Sequence, residues 1–118
     1  MKKNSSDKGK VGESYASLLL KKNGYKIVNK NFRSRFGEID IVAEKDGYTY
    51  FCEVKTRWGV SFGHPEEAVN KLKLDKIKKT IDYYLQQKSG SYTSARILVI
   101  AQIINNGSLA YQKLIIVD

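Results

Sequence analysis

Two carboxylates and a lysine occur within the segment 37–57, GEIDIVAEKDGYTYFCEVKTR, at Asp40, Glu53 and Lys55. Hard divalent cations such as Mg²⁺ bind through carboxylate oxygens, water and phosphate oxygens. A lysine beside such an ion is able to orient an attacking water or to stabilise the charge that develops on a phosphate. These residue types therefore indicate phosphate-ester chemistry with Mg²⁺ or Mn²⁺, provided that the fold brings the three side chains together.

An Asp-Gly pair, Asp46 and Gly47, separates the apolar-rich runs 38–44 and 48–56. Such a pair supplies the positive φ angles of a two-residue type I′ turn, so the segment is predicted to be a β-hairpin of fixed register. The register pairs Lys45 with Tyr48, Ile41 with Cys52, Asp40 with Glu53, Ile39 with Val54 and Glu38 with Lys55. Because side chains alternate between faces, the hairpin is predicted to have a core face and a polar face. The core face holds Ile39, Ile41, Cys52 and Val54, and the polar face holds Glu38, Asp40, Glu53 and Lys55.

The predicted opposition of Asp40 to Glu53 needs an explanation, because like charges directly across two antiparallel strands are destabilising. A divalent cation between the two carboxylates would remove the repulsion. The alternative is a solvated polar face on which Glu38 and Lys55 form a cross-strand ion pair. Composition alone does not separate these two interpretations, since charged residues are common in ordinary chains.

Length and charge set the broad class of the protein. A chain of 118 residues suits one domain with a single core. Its formal net charge of +9 favours a polyanionic partner, with nucleic acid ahead of an anionic membrane, but does not choose between DNA and RNA. The single Cys52 excludes an intramolecular disulfide, and its predicted role is packing. No apolar run is long enough to cross a bilayer, so a cytoplasmic protein is expected.

The chain before the hairpin divides into a tail, a helix and a strand. Residues 1–10 are polar and lysine-rich, which predicts a flexible basic tail preceding a single domain over 11–118. A helix is predicted from Val11 to the Asn23-Gly24 stop. Its expected buried stripe comprises Val11, Tyr15, Leu18 and Leu19. Glu13 lies off that stripe near the helix start, where a glutamate also suits the helix dipole. The run 25–31 is predicted to be an edge strand.

After the hairpin, a Gly-rich loop containing His64 is expected to lead into a helix that begins near Pro65 and extends to about Lys88. The nearly continuous apolar run 95–104 predicts a central strand buried on both faces, and Asn106-Gly107 a second hairpin turn before a last strand over 109–117. The predicted fold is α/β, with a mixed central sheet flanked by helices in the order α-β-β-β-α-β-β. The second helix is the crossover.

Basic residues crowd the first half of this second helix. They are Lys71, Lys73, Lys76, Lys78 and Lys79. Like charges at these spacings repel one another, and a polyanion would relieve the repulsion. The alternative is a solvated helix face. Together with Arg57, these lysines are the candidate phosphate contacts.

With these motifs in view, the sequence resembles the small bacterial YraN-like proteins, which are placed in the restriction-endonuclease-like superfamily of PD-(D/E)xK nucleases. The resemblance covers nearly the whole chain after the tail. It is carried by GEIDIVA followed by EVKTR, by Gly12 and Glu13, by the segment 24–31, by the stretch 62–69 and by the lysine-rich helix.

The resemblance implies a restriction-endonuclease-like core and assigns roles to individual residues. Asp40 and Glu53 are similar to the superfamily's metal-binding acids, and Lys55 to its lysine. Glu13 resembles a first-helix glutamate of Holliday-junction resolvases and is expected to complete the catalytic and metal-binding set. Two departures exist. Ile39 stands before Asp40 where the superfamily pattern has proline, and 96–99 reads RILV where the family commonly has Arg-Phe-Asp-Val.

The sequence thus predicts a Mg²⁺- or Mn²⁺-dependent nuclease acting on DNA, with branched or structured DNA among the candidate substrates. Asp40 and Glu53 would hold the ion or ions, and Lys55 would position or activate water. Two alternatives stay open. One is a catalytically silent nucleic-acid-binding module of the same fold that serves a partner protein. The other is an enzyme that hydrolyses a smaller phosphate compound.

Overall fold

The computed structural model describes residues 5–59, 71–88 and 94–117. Within these ranges, a five-stranded sheet lies between two helices. The elements in chain order are α1 (Ser5–Lys22), β1 (Lys26–Ser34), β2 (Gly37–Lys45), β3 (Tyr48–Trp58), α2 (Lys71–Lys88), β4 (Ala95–Asn105) and β5 (Ser108–Ile116). The predicted order and the predicted α/β class with a mixed sheet are confirmed.

The strands follow one another across the sheet in the order β1-β2-β3-β4-β5. Neighbouring strands are antiparallel except for β3 and β4, which are parallel. Parallel neighbours need a crossover connection, and α2 lies in it as predicted. β1 is an edge strand, and β4 lies between two partners with its residues 97–104 buried, so both strand predictions are confirmed.

The Asp46-Gly47 turn forms as the sequence predicts, with φ angles of 52° and 83° at the two residues. Both values lie in the left-handed region, which glycine and aspartate tolerate better than most residues. Lys45 pairs with Tyr48, and the ladder continues as far as Ile41 opposite Cys52. The register near the turn is therefore confirmed.

Each face of the sheet is covered by one helix and has its own apolar cluster. On the α1 side the buried residues are Ala16, Leu20, Tyr25, Ile41, Ala43, Cys52, Leu98 and Ile100. On the α2 side they are Ile39, Val42, Phe51, Ile77, Ile81, Tyr84, Leu85 and Ile97.

Helix α1 differs from its prediction in two respects. It begins at Ser5 and not at Val11, so residues 5–10 are helical instead of an unstructured tail. Its buried face is also rotated, because Ala16 and Leu20 are buried whereas Leu18 is 64% exposed. Small residues on that face let the helix approach the sheet closely, and this selects a face that a count of large apolar residues misses.

Residues 60–70 lie outside the described ranges, as do the predictions that fall on them. These are the loop containing His64, the helix start near Pro65 and the matching stretch 62–69. Neither described helix has a stretch apolar enough to span a bilayer.

Candidate active site

The hairpin opens at Asp40. The β2–β3 ladder ends at Ile41 opposite Cys52, although β3 continues beside β4 as far as Trp58 opposite Ile104. At the opening, Oδ2 of Asp40 accepts a hydrogen bond from the backbone N–H of Val54 at 2.7 Å. A side chain thus satisfies a β3 donor that a continuing β2 strand would otherwise bond. The predicted ladder pairs Asp40–Glu53, Ile39–Val54 and Glu38–Lys55 are therefore absent from the described ladder.

The opening also changes the predicted faces of the hairpin. Ile39 packs in the α2 cluster, whereas Ile41, Cys52 and Val54 pack on the α1 side. The prediction that these four residues share one face is wrong, because strict alternation holds only while the ladder is regular.

The polar face is divided in the same way. Glu38 and Asp40 line a pocket that Glu13 of α1 and Val54 also border. Glu53 instead contacts Lys73 of α2, and Lys55 interacts with the same lysine. Glu38 approaches Arg33 of β1, with 3.8 Å between Oε1 and Nε, so the alternative prediction of a Glu38–Lys55 ion pair is also wrong. Asp40 lies where the two groups meet.

Asp40 is the most perturbed carboxyl group of the opening. The pKa of Asp40 is raised to about 7, chiefly by burial and next by the charge of Glu53. A hydrogen bond between the two carboxyl groups acts in the same direction, and the N–H of Val54 partly opposes it. Asp40 and Glu53 are therefore close to each other, as the sequence predicted. They are not ladder partners, however, so the predicted cross-strand pairing is not what brings them together.

Glu53 is held by two lysines. Its Oε1 lies 2.8 Å from Nζ of Lys73 and 3.9 Å from Nζ of Lys55. Burial and contact with Lys73 lower the pKa of Lys55, although the charges of Glu53 and Asp40 oppose the change. Burial also lowers the pKa of Lys73, but hydrogen bonding to Glu53 more than offsets this and leaves that pKa raised. Of the two lysines, Lys55 is therefore the one that gives up its proton more readily.

Glu13 reaches the pocket because a buried polar network fixes α1 over the sheet. Nε2 of Gln102 donates to the carbonyl of Gly12 at 2.6 Å and to Oγ1 of Thr56 at 3.0 Å. A Cβ added at Gly12 would lie 2.8 Å from Oγ1 of Thr56, so glycine permits this close approach. Glu13 follows Gly12 directly and is thereby placed at the pocket.

The pocket has a volume of about 440 Å³. Within it, Glu13 contacts β1, with Oε1 3.8 Å from Nζ of Lys30 and Oε2 3.3 Å from Nδ2 of Asn31. No three acidic, histidine or cysteine side chains of the described residues converge into a preformed metal cluster. Glu13 and Asp40 line the same pocket, and the role of Glu13 as a metal ligand stays a prediction.

The donor set of the opening suits a hard cation. Two carboxyl groups close enough to share a proton are also close enough to share an ion, and their oxygens are the ligands that Mg²⁺ and Mn²⁺ prefer. Val54 engages Oδ2 of Asp40, and the lysines approach Oε1 of Glu53. A cation bound between the two carboxyl groups would take the place of the hydrogen bond that joins them. Asp40 and Glu53 are thus the residues that would hold the metal.

The basic residues divide into two groups. Lys76, Lys78 and Lys79 are exposed on α2, and Arg57 is exposed near the end of β3. Lys73 lies instead at the acidic opening, where its Nζ contacts Glu53, and its contact with a phosphate stays a prediction. The side chain of Lys71 lies outside the described set.

Several residues of the site were not singled out from the sequence. Lys30 and Asn31 hold Glu13, and nothing in the run 25–31 distinguishes them from other polar residues of an edge strand. Gln102 did leave a signal, because it is a lone amide in the apolar run ARILVIAQII. Buried polar groups require hydrogen-bond partners, so an amide at that position indicates a hydrogen bond to another part of the chain.

The pKa of the Cys52 thiol is raised to about 12, chiefly by burial and to a smaller extent by the charge of Asp40. A thiol of this kind is unreactive. Cys52 is fully buried in the α1 cluster, in accordance with the packing role predicted for it.

Comparison with known proteins places the chain in a family. Residues 12–102 match the model of the uncharacterised protein family UPF0102. A UPF0102 protein of Clostridium acetobutylicum is 45% identical over 103 residues, covering 87% of this chain and 84% of that protein. A UPF0102 protein of Persephonella marina is 41% identical over 99 residues, covering 84% and 85% respectively. The matched residues include Glu13, Asp40, Glu53 and Lys55, and the chain belongs to the UPF0102 family.

Proposed function

We propose that the protein is a metal-dependent nuclease that hydrolyses phosphodiester bonds of DNA. The observation that carries the proposal is the convergence of Asp40, Glu53 and Lys55 at the point where the hairpin opens. The net charge of +9 favours a long polyanionic substrate over a small phosphate compound. The resemblance to PD-(D/E)xK nucleases and resolvases supports the same chemistry and places branched DNA among the substrates to be tested.

In this proposal each residue has a separate task. Asp40 and Glu53 hold the cation, and Glu13 contributes from across the pocket. A bound Mg²⁺ or Mn²⁺ supplies Lewis-acid stabilisation of the phosphate and activation of water. Lys55, whose pKa is lowered by burial, would position or activate the attacking water. Nζ of Lys73 keeps its charge beside Glu53 and is placed to offset negative charge on a phosphate oxygen.

The direct test is cleavage of labelled linear, flapped and four-way DNAs with Mg²⁺ or Mn²⁺. We expect wild type to cut at least one of them and Asp40→Asn and Lys55→Ala to lose about 10²-fold or more in rate, the scale of one lost transition-state contact. Glu44→Gln is the matched control, since Glu44 is an exposed acid on the same strand beyond the opening. Equal cutting by wild type and Asp40→Asn would show that the activity arises elsewhere.

A second candidate function is that of a silent DNA-binding module of the same fold. It is favoured by one observation, the 2.8 Å contact of Lys73 with Glu53, which neutralises an acid of the opening within the chain itself. This candidate predicts DNA binding that is indifferent to Mg²⁺ and Mn²⁺, with no cutting of any substrate. Well-folded protein that binds the panel without cutting it would favour this function over the nuclease.

A further inference from the structure

A second pocket lies between the β1–β2 turn and the outer side of α2. Its volume is about 350 Å³, and it is lined by two aromatic rings, two cations, an acid and an amide. These residues are Arg35, Phe36, Lys79, Asp82, Tyr83 and Gln86. None of them belongs to the acidic opening.

The aromatic rings form an angled corner. The centroids of Phe36 and Tyr83 are 6.3 Å apart with the rings at 64°, and Tyr83 packs against Phe32 on its inner side. Phe36 and Tyr83 are each only half-buried. Cζ of Arg35 lies 4.9 Å from the centroid of Phe36. A flat group is therefore able to lie against one ring and meet the other edge-on, in contact with a guanidinium group.

The polar groups around this corner suit a nucleotide better than a bare phosphate. Arg35 and Lys79 are exposed cations that would hold a phosphate. Asp82 would repel a phosphate, but its carboxylate accepts hydrogen bonds from the amino group of a base, and Gln86 both donates and accepts. The combination of stacking rings, base-edge partners and flanking cations matches a nucleobase with its backbone.

The pocket is connected to the acidic opening along α2. Lys73 contacts Glu53, and Lys76, Lys79 and Tyr83 follow at spacings of three, three and four residues. Such spacings keep side chains on one side of a helix. At 1.5 Å per residue, Lys73 and Tyr83 are about 15 Å apart along the axis. That is roughly four nucleotides of a stacked strand at 3.4 Å each.

We propose that this pocket binds an unpaired nucleobase of single-stranded DNA, a few nucleotides from the phosphate held at the acidic opening. The inference rests on the proposed function for its DNA partner and adds the requirement for a single-stranded segment. Lys76 and Lys79 contact the intervening phosphates. A base inside a duplex is stacked on both faces, so only an unpaired base is able to enter the corner.

The test measures binding in EDTA, so that cutting does not interfere. Labelled duplexes with a short 5′ or 3′ overhang are compared with the same DNAs carrying one abasic position at each overhang site in turn. With wild type, one abasic position in one overhang is expected to weaken binding roughly 5- to 150-fold, the range measured for loss of one stacked base. Phe36→Ala is expected to bind both DNAs with equal, weakened affinity.

Two further variants control for folding and for position. Phe36→Leu keeps apolar volume against Tyr83 without offering a ring. It too is expected to bind the DNA with the abasic position as tightly as the unmodified DNA. Tyr48→Ala removes a comparable aromatic–arginine pair at the hairpin turn, where Arg96 lies 4.5 Å from the ring centroid of Tyr48. Tyr48→Ala is expected to lose as much affinity at the sensitive abasic position as wild type does.

The outcomes separate this inference from the proposed function. If wild type binds and cuts DNA but no abasic position in either overhang weakens binding, the base pocket is overturned and the proposed nuclease function stands. An abasic effect that persists unchanged in both Phe36 variants would place the bound base elsewhere. Failure to bind any of these DNAs would overturn both proposals.

Discussion

The two ends of the β2–β3 hairpin differ in what holds the strands together. At the turn end, Lys45 faces Tyr48 in a regular ladder, and the backbone alone determines the geometry. At the open end, the ladder is replaced by a side chain, because Asp40 accepts the hydrogen bond of Val54. A regular ladder would separate the polar residues into fixed pairs, whereas the opening lets side chains from both helices approach them.

This difference separates the residues that fix the hairpin turn from those of the proposed site. The turn end is built from residues that suit its conformation. The open end brings together two acids and two lysines. The pKa values of Asp40, Lys55 and Lys73 are shifted, and Glu53 is in close contact with Lys73. Perturbed groups of this kind cluster at functional sites. Substitutions at the two ends should therefore have opposite effects on stability.

The largest expected effect on stability is that of Asp40→Asn in metal-free protein. The folded chain keeps a proton on Asp40 up to about pH 7, whereas the ordinary pKa is 3.8. The folded state thus binds more protons than the unfolded state between these values, and wild-type stability falls as pH rises through them. Asparagine still offers an oxygen to Val54 and carries no charge. At pH 8, above both pKa values, we expect the variant to be more stable than wild type by about 4 kcal/mol.

Urea unfolding in EDTA at several pH values measures this difference. The advantage of Asp40→Asn should be small near pH 4 and should grow until about pH 7. Asp46→Asn makes the same chemical change at the turn end, where asparagine also tolerates the left-handed conformation. An advantage of Asp40→Asn that does not grow with pH would contradict the described state of the open end.

The next effect concerns the helix that covers the opening. A Cβ in Gly12→Ala would lie 2.8 Å from Oγ1 of Thr56 and 3.4 Å from Nε2 of Gln102. Overpacking of this kind typically costs 1–3 kcal/mol, and we expect about 2 kcal/mol because the threonine side chain is able to adjust. Thermal or urea unfolding measures the change.

Gly9→Ala on the same helix is the matched control for this change. A Cβ there meets nothing within 4 Å. It should therefore leave stability unchanged or raise it by up to about 1 kcal/mol through helix propensity. Equal effects of the two substitutions would show that α1 does not approach the sheet at Gly12.

The smallest effect is expected at the turn end. Gly47 has a φ of 83° and open space around its Cα, so Gly47→Ala adds only backbone strain. A loss of about 1 kcal/mol is expected, with no change in DNA cutting or in the response to Mn²⁺. A loss of cutting in a folded Gly47→Ala protein would show that the two ends are coupled, contrary to the separation described above.

The sequence was sufficient where local chemistry decides the structure. Asp46-Gly47 determined the hairpin register, and the apolar run 95–104 identified the central strand. It was insufficient where packing between distant elements decides. The buried face of α1 depends on how Gly12 meets Thr56 and Gln102, and the position of Lys73 depends on where α2 begins over the sheet. The ladder ends at Ile41 opposite Cys52, and a count of residues from the turn does not reveal that end. The predicted opposition of Asp40 and Glu53 therefore rested on the assumption of a regular hairpin.

The central claim, that the open end holds a divalent cation between Asp40 and Glu53, is tested most directly by thermal unfolding with and without millimolar Mn²⁺. A cation that binds only the folded state stabilises it by about 2.7 kcal/mol at one hundred times its dissociation constant. The melting temperatures of wild type and Glu44→Gln should therefore rise, while those of Asp40→Asn and Glu53→Gln should stay nearly unmoved. Equal Mn²⁺ shifts in wild type and both site variants would contradict the claim, because they would show that no ion is held between these two carboxylates.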